Sequence, residues 1–313
     1  MRKKIVFLDA STLGEVSNLH KISELGELII YPYTSAQTTV SRVKEANIII
    51  TNKVQITKEV IDAAPHLELI CVAATGTNNI DLIYAQEKGI TVKNAIGYST
   101  HSVAQVTFAM LFALLNKISY YDNYVKSGAY SQSNIFTHLG QPFSEINGKT
   151  FGIIGLGNIG KQVAAIATAF GANVIYTSTS GIERREAYPR HTLTDLLAKS
   201  DIVSIHAPLN EHTKALINTE KLQQMKPSAV LLNTGRGGII VEDDLANALE
   251  QNIIAGAGID VFQTEPLPVT NKLLTIKSQH KLILLPHIAW TSQEARFELV
   301  EKIVQNIQLF INK

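Results

Sequence analysis

Residues 151–160 read FGIIGLGNIG, and no other stretch of the chain limits the fold as tightly. The apolar run 151–154 has the composition of a buried parallel strand. It opens into a G-x-G-x-x-G pattern at Gly155, Gly157 and Gly160, and an Ala-rich run with helical spacing continues to Gly171. Strand, glycine turn and helix in that order are the context that makes the pattern a dinucleotide fingerprint. Gly155 makes the tight turn, Gly157 lets the backbone approach a pyrophosphate, and Gly160 lets helix and strand pack closely. Asn158 and Ile159 open the helix, whose free N–H groups and partial positive charge suit phosphates. Tight turns use glycine for conformational reasons too; the flanking strand and helix favour the binding reading.

The rest of the chain repeats this alternation. Its 313 residues exceed one comfortable core. Short Ile- and Val-rich runs predict strands at 5–8, 28–31, 47–51, 69–72 and 90–92, with helices at 57–63 and 81–88 capped by Thr57 and Asp81. A second alternation starts at Phe151. It predicts strands at 173–177, 202–205, 229–233, 253–259 and 282–285, and helices at 192–199, 218–225 and 242–250. An amphipathic helix, 292–311, ends the chain. Such alternation defines an α/β protein with parallel sheets. Between the two halves, 99–126 reads as one long helix whose first half is apolar nearly all round, as for a helix buried on several sides. It fits a helix between two domains that also packs on a second subunit. The polar loop 128–149 is too long for a simple connector and suits an interface arm.

Composition removes several function classes. The net charge of +1 gives no electrostatic drive toward nucleic acid or a membrane surface. The longest apolar run, 103–115, is interrupted by Gln105 and Thr107, and a membrane span needs about twenty apolar residues. Arg2-Lys3-Lys4 precedes only the short apolar run 5–8, which Asp9 ends; that is too short for a secretory signal. The single cysteine, Cys71, lies in the apolar run 69–74 and reads as a small packed hydrophobe. This suits a reducing cytoplasm. Nine histidines without an H-E-x-x-H pattern, and one cysteine, argue against a metal site.

Polar groups recur where the strands of the second half end. His206-Ala207-Pro208 ends one strand, residues 233–238 (NTGRGG) the next, Asp260 a third with Glu265 soon after, and residues 286–290 (PHIAW) the last. Each residue alone has an ordinary explanation as a surface cation, turn cap, solvated acid or satisfied histidine. Ligands in open α/β sheets bind outside the carboxyl ends of strands, so the conjunction points to a crevice holding Arg236, Asp260, Glu265 and His287. In the first half, the loop 74–79 (ATGTNN) offers successive N–H groups to a carboxylate. Taken alone, that stretch favours an ordinary capped loop.

GLGNIG at 155–160, NTGRGGIIVEDDL at 233–245, GIDVFQTEP at 258–266 and LLPHIAW at 284–290 come in a familiar order and spacing. Over nearly its whole length the chain resembles the D-isomer-specific 2-hydroxyacid dehydrogenase family. ATGTNNID at 74–81 and HIAW resemble the glycerate dehydrogenase (hydroxypyruvate reductase) branch most. The resemblance implies two Rossmann-like parallel-sheet domains with a cleft between them: a discontinuous substrate domain, 1–98 plus 291–313, and a dinucleotide domain, 99–290. It implies that Arg236 binds substrate, that His287 is the general acid and base, and that Glu265 bonds the other ring nitrogen and keeps the ring ready to donate. It places Thr75 and Gly76 on the substrate carboxylate. Beside the fingerprint glycines, Asn158 and Ile159, the cofactor positions would be Thr107, Ser178, His206, Ala207, Pro208, Thr213, Thr234, Gly235, Asp260 and His287, with Asp260 in a supporting role.

One departure bears on the cofactor. NAD-preferring relatives carry an aspartate after the second strand of this domain, where it takes the ribose hydroxyls. Residues 174–180 here read VIYTSTS, which puts Ser178 at that position. Arg184 and Arg185 follow several residues later. The expected cofactor is NAD, with NADP left open. The expected reaction is hydride transfer between a nicotinamide and a small D-2-hydroxy or 2-oxo acid, glycerate/hydroxypyruvate or glycolate/glyoxylate first. A D-lactate-type enzyme and a dinucleotide-sensing regulator remain as alternatives. Formate oxidation is disfavoured because Glu265 stands where those relatives use glutamine. A cytoplasmic homodimer is expected.

Overall fold

A computed structural model describes residues 2–182 and 185–312. The chain forms two compact units, residues 1–99 with 290–313, and residues 100–289.

The first unit is built on strands β1 (Lys4–Phe7), β2 (Glu27–Ile30), β3 (Ile48–Thr51), β4 (Leu69–Val72) and β5 (Thr91–Asn94). They pair in the order β2-β1-β3-β4-β5, every pair parallel. The inner strands β3 and β4 are buried throughout, as their continuous apolar runs require in a sheet covered on both faces. The C-terminal helix Gln293–Ile311 covers one face. Its Leu299, Ile303 and Ile307, spaced by four, join Val300 and Val304 against Ile5, Phe7, Ile48, Leu69 and Cys71. Each such fully buried aliphatic contributes roughly 1.5–3 kcal/mol. Val43, Val60, Ile61 and Ala85 pack on the other face. Asp81 caps the helix Leu82–Glu87 by accepting from Tyr84 N, whereas Thr57 occupies its N-cap without a side-chain bond. Two short helices that the periodicity does not announce, His20–Leu25 and Ala36–Val43, connect the early strands.

The second unit holds β6 (Thr150–Ile154), β7 (Asn173–Thr177), β8 (Ile202–Ile205), β9 (Val230–Asn233), β10 (Gly256–Ile259) and β11 (Leu282–Leu284). Their order is β11-β10-β9-β8-β6-β7, again all parallel. Six parallel strands put six carboxyl ends on one edge. The order reverses direction at β6, between β7 and β8, and such a switch point is where open α/β sheets bind ligands. The β10 strand starts at Gly256, later than the expected 253, because Ile253 N is still bonded to Ala248 O and Asn252 takes a φ of 59°.

The expected single helix 99–126 is two. Thr100–Leu115 and Ile118–Lys126 meet at a bend of 60°. Lys117, at a φ of 53°, is left-handed and ends the first helix. Phe108, Met110, Leu111 and Leu114 bury the first helix against Phe151, Ile153 and Val163. On the second helix, Tyr124 stacks on His138 of the following loop at a centroid distance of 3.7 Å, and Tyr120 bonds the same ring at 2.8 Å. That loop exposes Ile135, Phe136, Leu139 and Phe143. Among the described residues no single helix is long and apolar enough to cross a membrane.

Candidate active site

The fingerprint turn leaves β6 with Gly155 at a φ of 93°, a region L side chains rarely adopt. A Cβ on Gly155 would lie 2.9 Å from Ala207 Cα, and one on Gly160 would lie 2.3 Å from Gly155 O. Strand, turn and helix Asn158–Ala169 are thus closed on one another. A Cβ on Gly157 meets no protein atom within 4 Å. The fold's own packing therefore does not demand glycine there, whereas close approach of a pyrophosphate does. These residues fit a dinucleotide. A depression at the ends of β6, β7 and β8 is lined by Gly155, Gly157, Ser178, Ser180, His206 and Pro208.

After β8, His206 is held at both ring nitrogens. Ser204 Oγ lies 2.8 Å from Nε2 and Thr234 Oγ1 lies 3.3 Å from Nδ1. Burial pushes this imidazole down to about 3, so it stays neutral. Thr234 Oγ1 also lies 3.2 Å from Thr107 Oγ1, which donates to Val103 O in its own helix at 2.8 Å. One buried hydroxyl network thus joins Thr107, Thr234 and His206. Ala207 is buried and Pro208 exposed beside it. Thr213 is fully buried; its hydroxyl donates to Pro208 O at 2.7 Å and accepts from Asn210 N at 2.8 Å, fixing that loop.

After β9, Asn233 braces the turn that presents Arg236. Its amide donates to Arg236 O at 3.0 Å and its oxygen accepts from Gly235 N at 3.0 Å. Arg236 Nη1 donates to Gly235 O at 2.8 Å, so part of the guanidinium fork is tied to its own turn. A Cβ on Gly237 would collide with Phe262 O at 1.8 Å, which packs this turn onto the loop after β10.

That loop and the one after β11 carry the acid–base geometry. His287 Nδ1–H donates to Glu265 Oε2 at 2.7 Å, with both side chains largely covered. Glu265 Oε1 accepts from Phe262 N at 3.0 Å, which fixes the carboxylate. His287 sits at a φ of 57°, a strained conformation for a residue with a Cβ. Asp260 holds it there. Its buried carboxylate accepts Ile288 N at 2.8 Å and Ala289 N at 3.0 Å, and Asp260 O accepts His287 N at 2.8 Å. Desolvation pushes the Asp260 carboxyl up to about 6 despite those two N–H bonds. Ser102 adds a further tie by donating to Ala289 O at 2.6 Å. An imidazole fixed through Nδ1 has Nε2 left to exchange a proton with a substrate oxygen.

In sheet order, the carboxyl edge therefore carries His287, Asp260, Thr234 to Arg236, His206, the fingerprint and Ser178. Thr75 and Gly76 lie in the first unit, after β4. Thr75 Oγ1 donates to Ala95 O at 3.0 Å and Thr75 O accepts from Asn94 Nδ2 at 2.6 Å. Arg184 lies outside the described residues, and Arg185 is exposed. Three contributors went unread in the sequence: Asn233 as a brace, Ser102 as a tie to Ala289, and Ser204 as a partner of His206. Only Asn233, beside the TGRGG turn, had a local signal.

A dinucleotide fingerprint at a switch point, on the same sheet edge as a fixed histidine–carboxylate pair and an arginine turn, fits a nicotinamide-dependent oxidoreductase of the doubly wound α/β class. Residues 108–289 match the family model for the D-isomer specific 2-hydroxyacid dehydrogenase, NAD binding domain. The chain is 37% identical over 319 residues to a glycerate dehydrogenase of Methylorubrum extorquens, covering 99% of this chain and 97% of that protein. Among solved structures, it is similar to an acyclic imino acid reductase in complex with NADPH and D-Arg, at a TM-score of 0.89 and 33% identity, covering 99% of this chain and 97% of that one. It is also similar to the D-lactate dehydrogenase of Aquifex aeolicus complexed with NAD and lactic acid, at a TM-score of 0.86 and 29% identity, covering 98% and 95%. The chain belongs to the D-isomer specific 2-hydroxyacid dehydrogenase family. It is an NAD(P)-dependent enzyme of hydride transfer on small hydroxy and oxo acids.

Proposed function

We propose that this enzyme interconverts a small D-2-hydroxy acid and its 2-oxo acid, glycerate/hydroxypyruvate or glycolate/glyoxylate, with His287 as the proton-transfer residue. The observation that carries this reading is the 2.7 Å bond from His287 Nδ1 to Glu265, which leaves Nε2 as the exchanging nitrogen. A nicotinamide dinucleotide held by the fingerprint turn would supply hydride-transfer chemistry at the substrate's C2. In the reducing direction His287 Nε2 gives its proton to the carbonyl oxygen, and in the oxidising direction it takes the hydroxyl proton back. Glu265 orients the ring by holding its Nδ1. Arg236 binds the substrate's carboxylate and carbonyl side, because a guanidinium forks onto planar oxygens and keeps its charge. It also stabilises the oxygen as negative charge develops there. Asp260 acts through the backbone of 287–289, as a positioning residue. Thr75 and Gly76 are assigned to the substrate carboxylate.

The fingerprint from Gly155 to Gly160 takes the pyrophosphate, with Thr107, Ser178, His206, Ala207, Pro208, Thr213, Thr234 and Gly235 around the rest of the dinucleotide. The second unit is thus the dinucleotide domain and the first the substrate domain. We assign the exposed apolar side chains of 135–143 and the helix Ile118–Lys126 to a homodimer contact, in a cytoplasmic protein.

The test is turnover, followed as reduced-nicotinamide absorbance, with NADH and NADPH each paired with hydroxypyruvate, glyoxylate, pyruvate and bulkier 2-oxo acids. The reading expects the small polar acids to give the highest kcat/KM. A clear preference for pyruvate would move the enzyme to the D-lactate type. Tight dinucleotide binding without turnover of any acid would overturn the enzymatic assignment.

A further inference from the structure

The strand end where a ribose-binding aspartate is expected carries Ser178, yet a carboxylate returns to the same place from further along the chain. After Thr177 the backbone leaves β7 and comes back beside it. Tyr176 N donates to Pro189 O at 3.0 Å, and His191 N donates to Tyr176 O at 2.8 Å. Tyr176 and Arg190 thereby form a parallel bridge. This return brings Glu186 onto the depression that Ser178, Ser180 and Gly157 also line. The Glu186 side chain is only 12% exposed, and its Oε2 lies 2.8 Å from Lys161 Nζ on the fingerprint helix. Covering a carboxylate costs free energy unless it is paired, and Lys161 supplies that pairing while fixing where the acid sits.

We propose that Glu186 is the specificity-determining residue of the cofactor site, accepting the adenosine ribose hydroxyls and excluding a 2′-phosphate. It makes the chain selective for NAD(H) although Ser178 has no charge. A ribose hydroxyl donating to a carboxylate forms a charge-assisted bond. A 2′-phosphate brought to the same carboxylate meets like charge in a partly desolvated pocket, where repulsion is weakly screened. Lys161 offsets part of this repulsion, so the discrimination expected is that of a paired carboxylate, smaller than for an unpaired one. The inference rests on the proposed dinucleotide reading of the second unit.

The experiment titrates the purified cofactor-free chain with NADH and NADPH, reading ligand fluorescence, for wild type, Glu186→Asp, Glu186→Gln and Glu186→Ala. Melting curves check that each variant is folded. Wild type should bind NADH at least about tenfold more tightly than NADPH, a ratio within reach of one close like-charge contact. Glu186→Asp should keep most of that preference. Glu186→Gln and Glu186→Ala should shrink it about tenfold, mainly by tightening NADPH. NADH and NADPH binding equally to wild type, or an unchanged ratio in both neutral variants, would overturn the role of Glu186 and leave the dinucleotide reading intact. Binding of neither dinucleotide to wild type would overturn both.

Discussion

Two buried aspartates perform the same structural task in the two units, with different consequences. Asp9 follows β1 and is 4% exposed; its carboxylate accepts the N–H groups of Asn52, Lys53 and Val54 in the loop after β3. Asp260 follows β10 and is 1% exposed; its carboxylate accepts Ile288 N and Ala289 N in the loop after β11. Each acid knits together the ends of neighbouring parallel strands, replacing ladder bonds that the sheet can no longer make. The difference lies in what the tied loop carries. The loop under Asp9 carries the buried Asn52 and the exposed Lys53. The loop under Asp260 presents His287 at a φ of 57°, bonded to Glu265. We assign the Asp260 device to the active site because the loop it ties carries His287, the residue we propose for proton transfer.

Substitutions can break or sharpen this contrast. Arg236→Ala, which removes the proposed substrate contact, should lower kcat/KM about 10²–10³-fold, the usual scale for losing an oxyanion-stabilising donor. Steady-state kinetics with the best acid of the panel reads it. Asp9→Asn should lose about 1–3 kcal/mol of stability in urea melts, because it leaves buried N–H groups poorly matched; Asp260→Asn should lose less at pH 7, where burial already disfavours the ionised carboxylate. Only Asp260→Asn should also lower kcat, by about 10–10²-fold. Equal kcat losses in the two variants would erase the distinction. Glu265→Gln should lower ketone reduction by about tenfold, since the ring loses the carboxylate that fixes its Nδ1. An unchanged rate of reduction would remove Glu265 from that role.

The gentlest effect is a pH drift in stability. Asp260 is pushed up to about 6 in the fold, above its unfolded value of about 3.9. The native state therefore holds this proton more tightly between those values, and wild type should lose stability relative to Asp260→Asn as pH rises from about 4 to about 6. The change should be on the order of 1–3 kcal/mol, then level off. A gap that stays constant over this range would show that the buried carboxyl titrates normally.

The frame was legible because its signals are local. The fingerprint is a contiguous strand, turn and helix, and its three glycines have separate geometric reasons. Strand ends shifted by a residue or so, as at β2, because parallel pairing such as Lys4 with Glu27 fixes them and no single run encodes pairing. The break at Lys117 had no proline or glycine to announce it. Asn116 is a weak helix former, yet its N–H still bonds Phe112 O, so the sequence marks the break only faintly. Ala36–Val43 was hidden because only Thr39 and Val43 of that helix are buried.

The site divides in the same way. Arg236, Glu265 and His287 could be named because each follows a strand run and sits in a recognisable motif. That Asp260 serves the backbone of Ile288 and Ala289 was not legible, because its environment depends on how two loops meet. Ser102 ties down Ala289 across 187 residues, and Glu186 regains the end of β7 through backbone pairing of Pro189 and His191 with Tyr176. No local pattern records either.

The most direct measurement of the central claim is His287→Ala, assayed for turnover of the preferred 2-oxo acid and, in parallel, for dinucleotide binding by fluorescence. Loss of a positioned general acid should reduce kcat about 10²–10⁴-fold, with the cofactor Kd within a few-fold of wild type. Turnover near the wild-type rate, with the cofactor still bound, would contradict the assignment of proton transfer to His287.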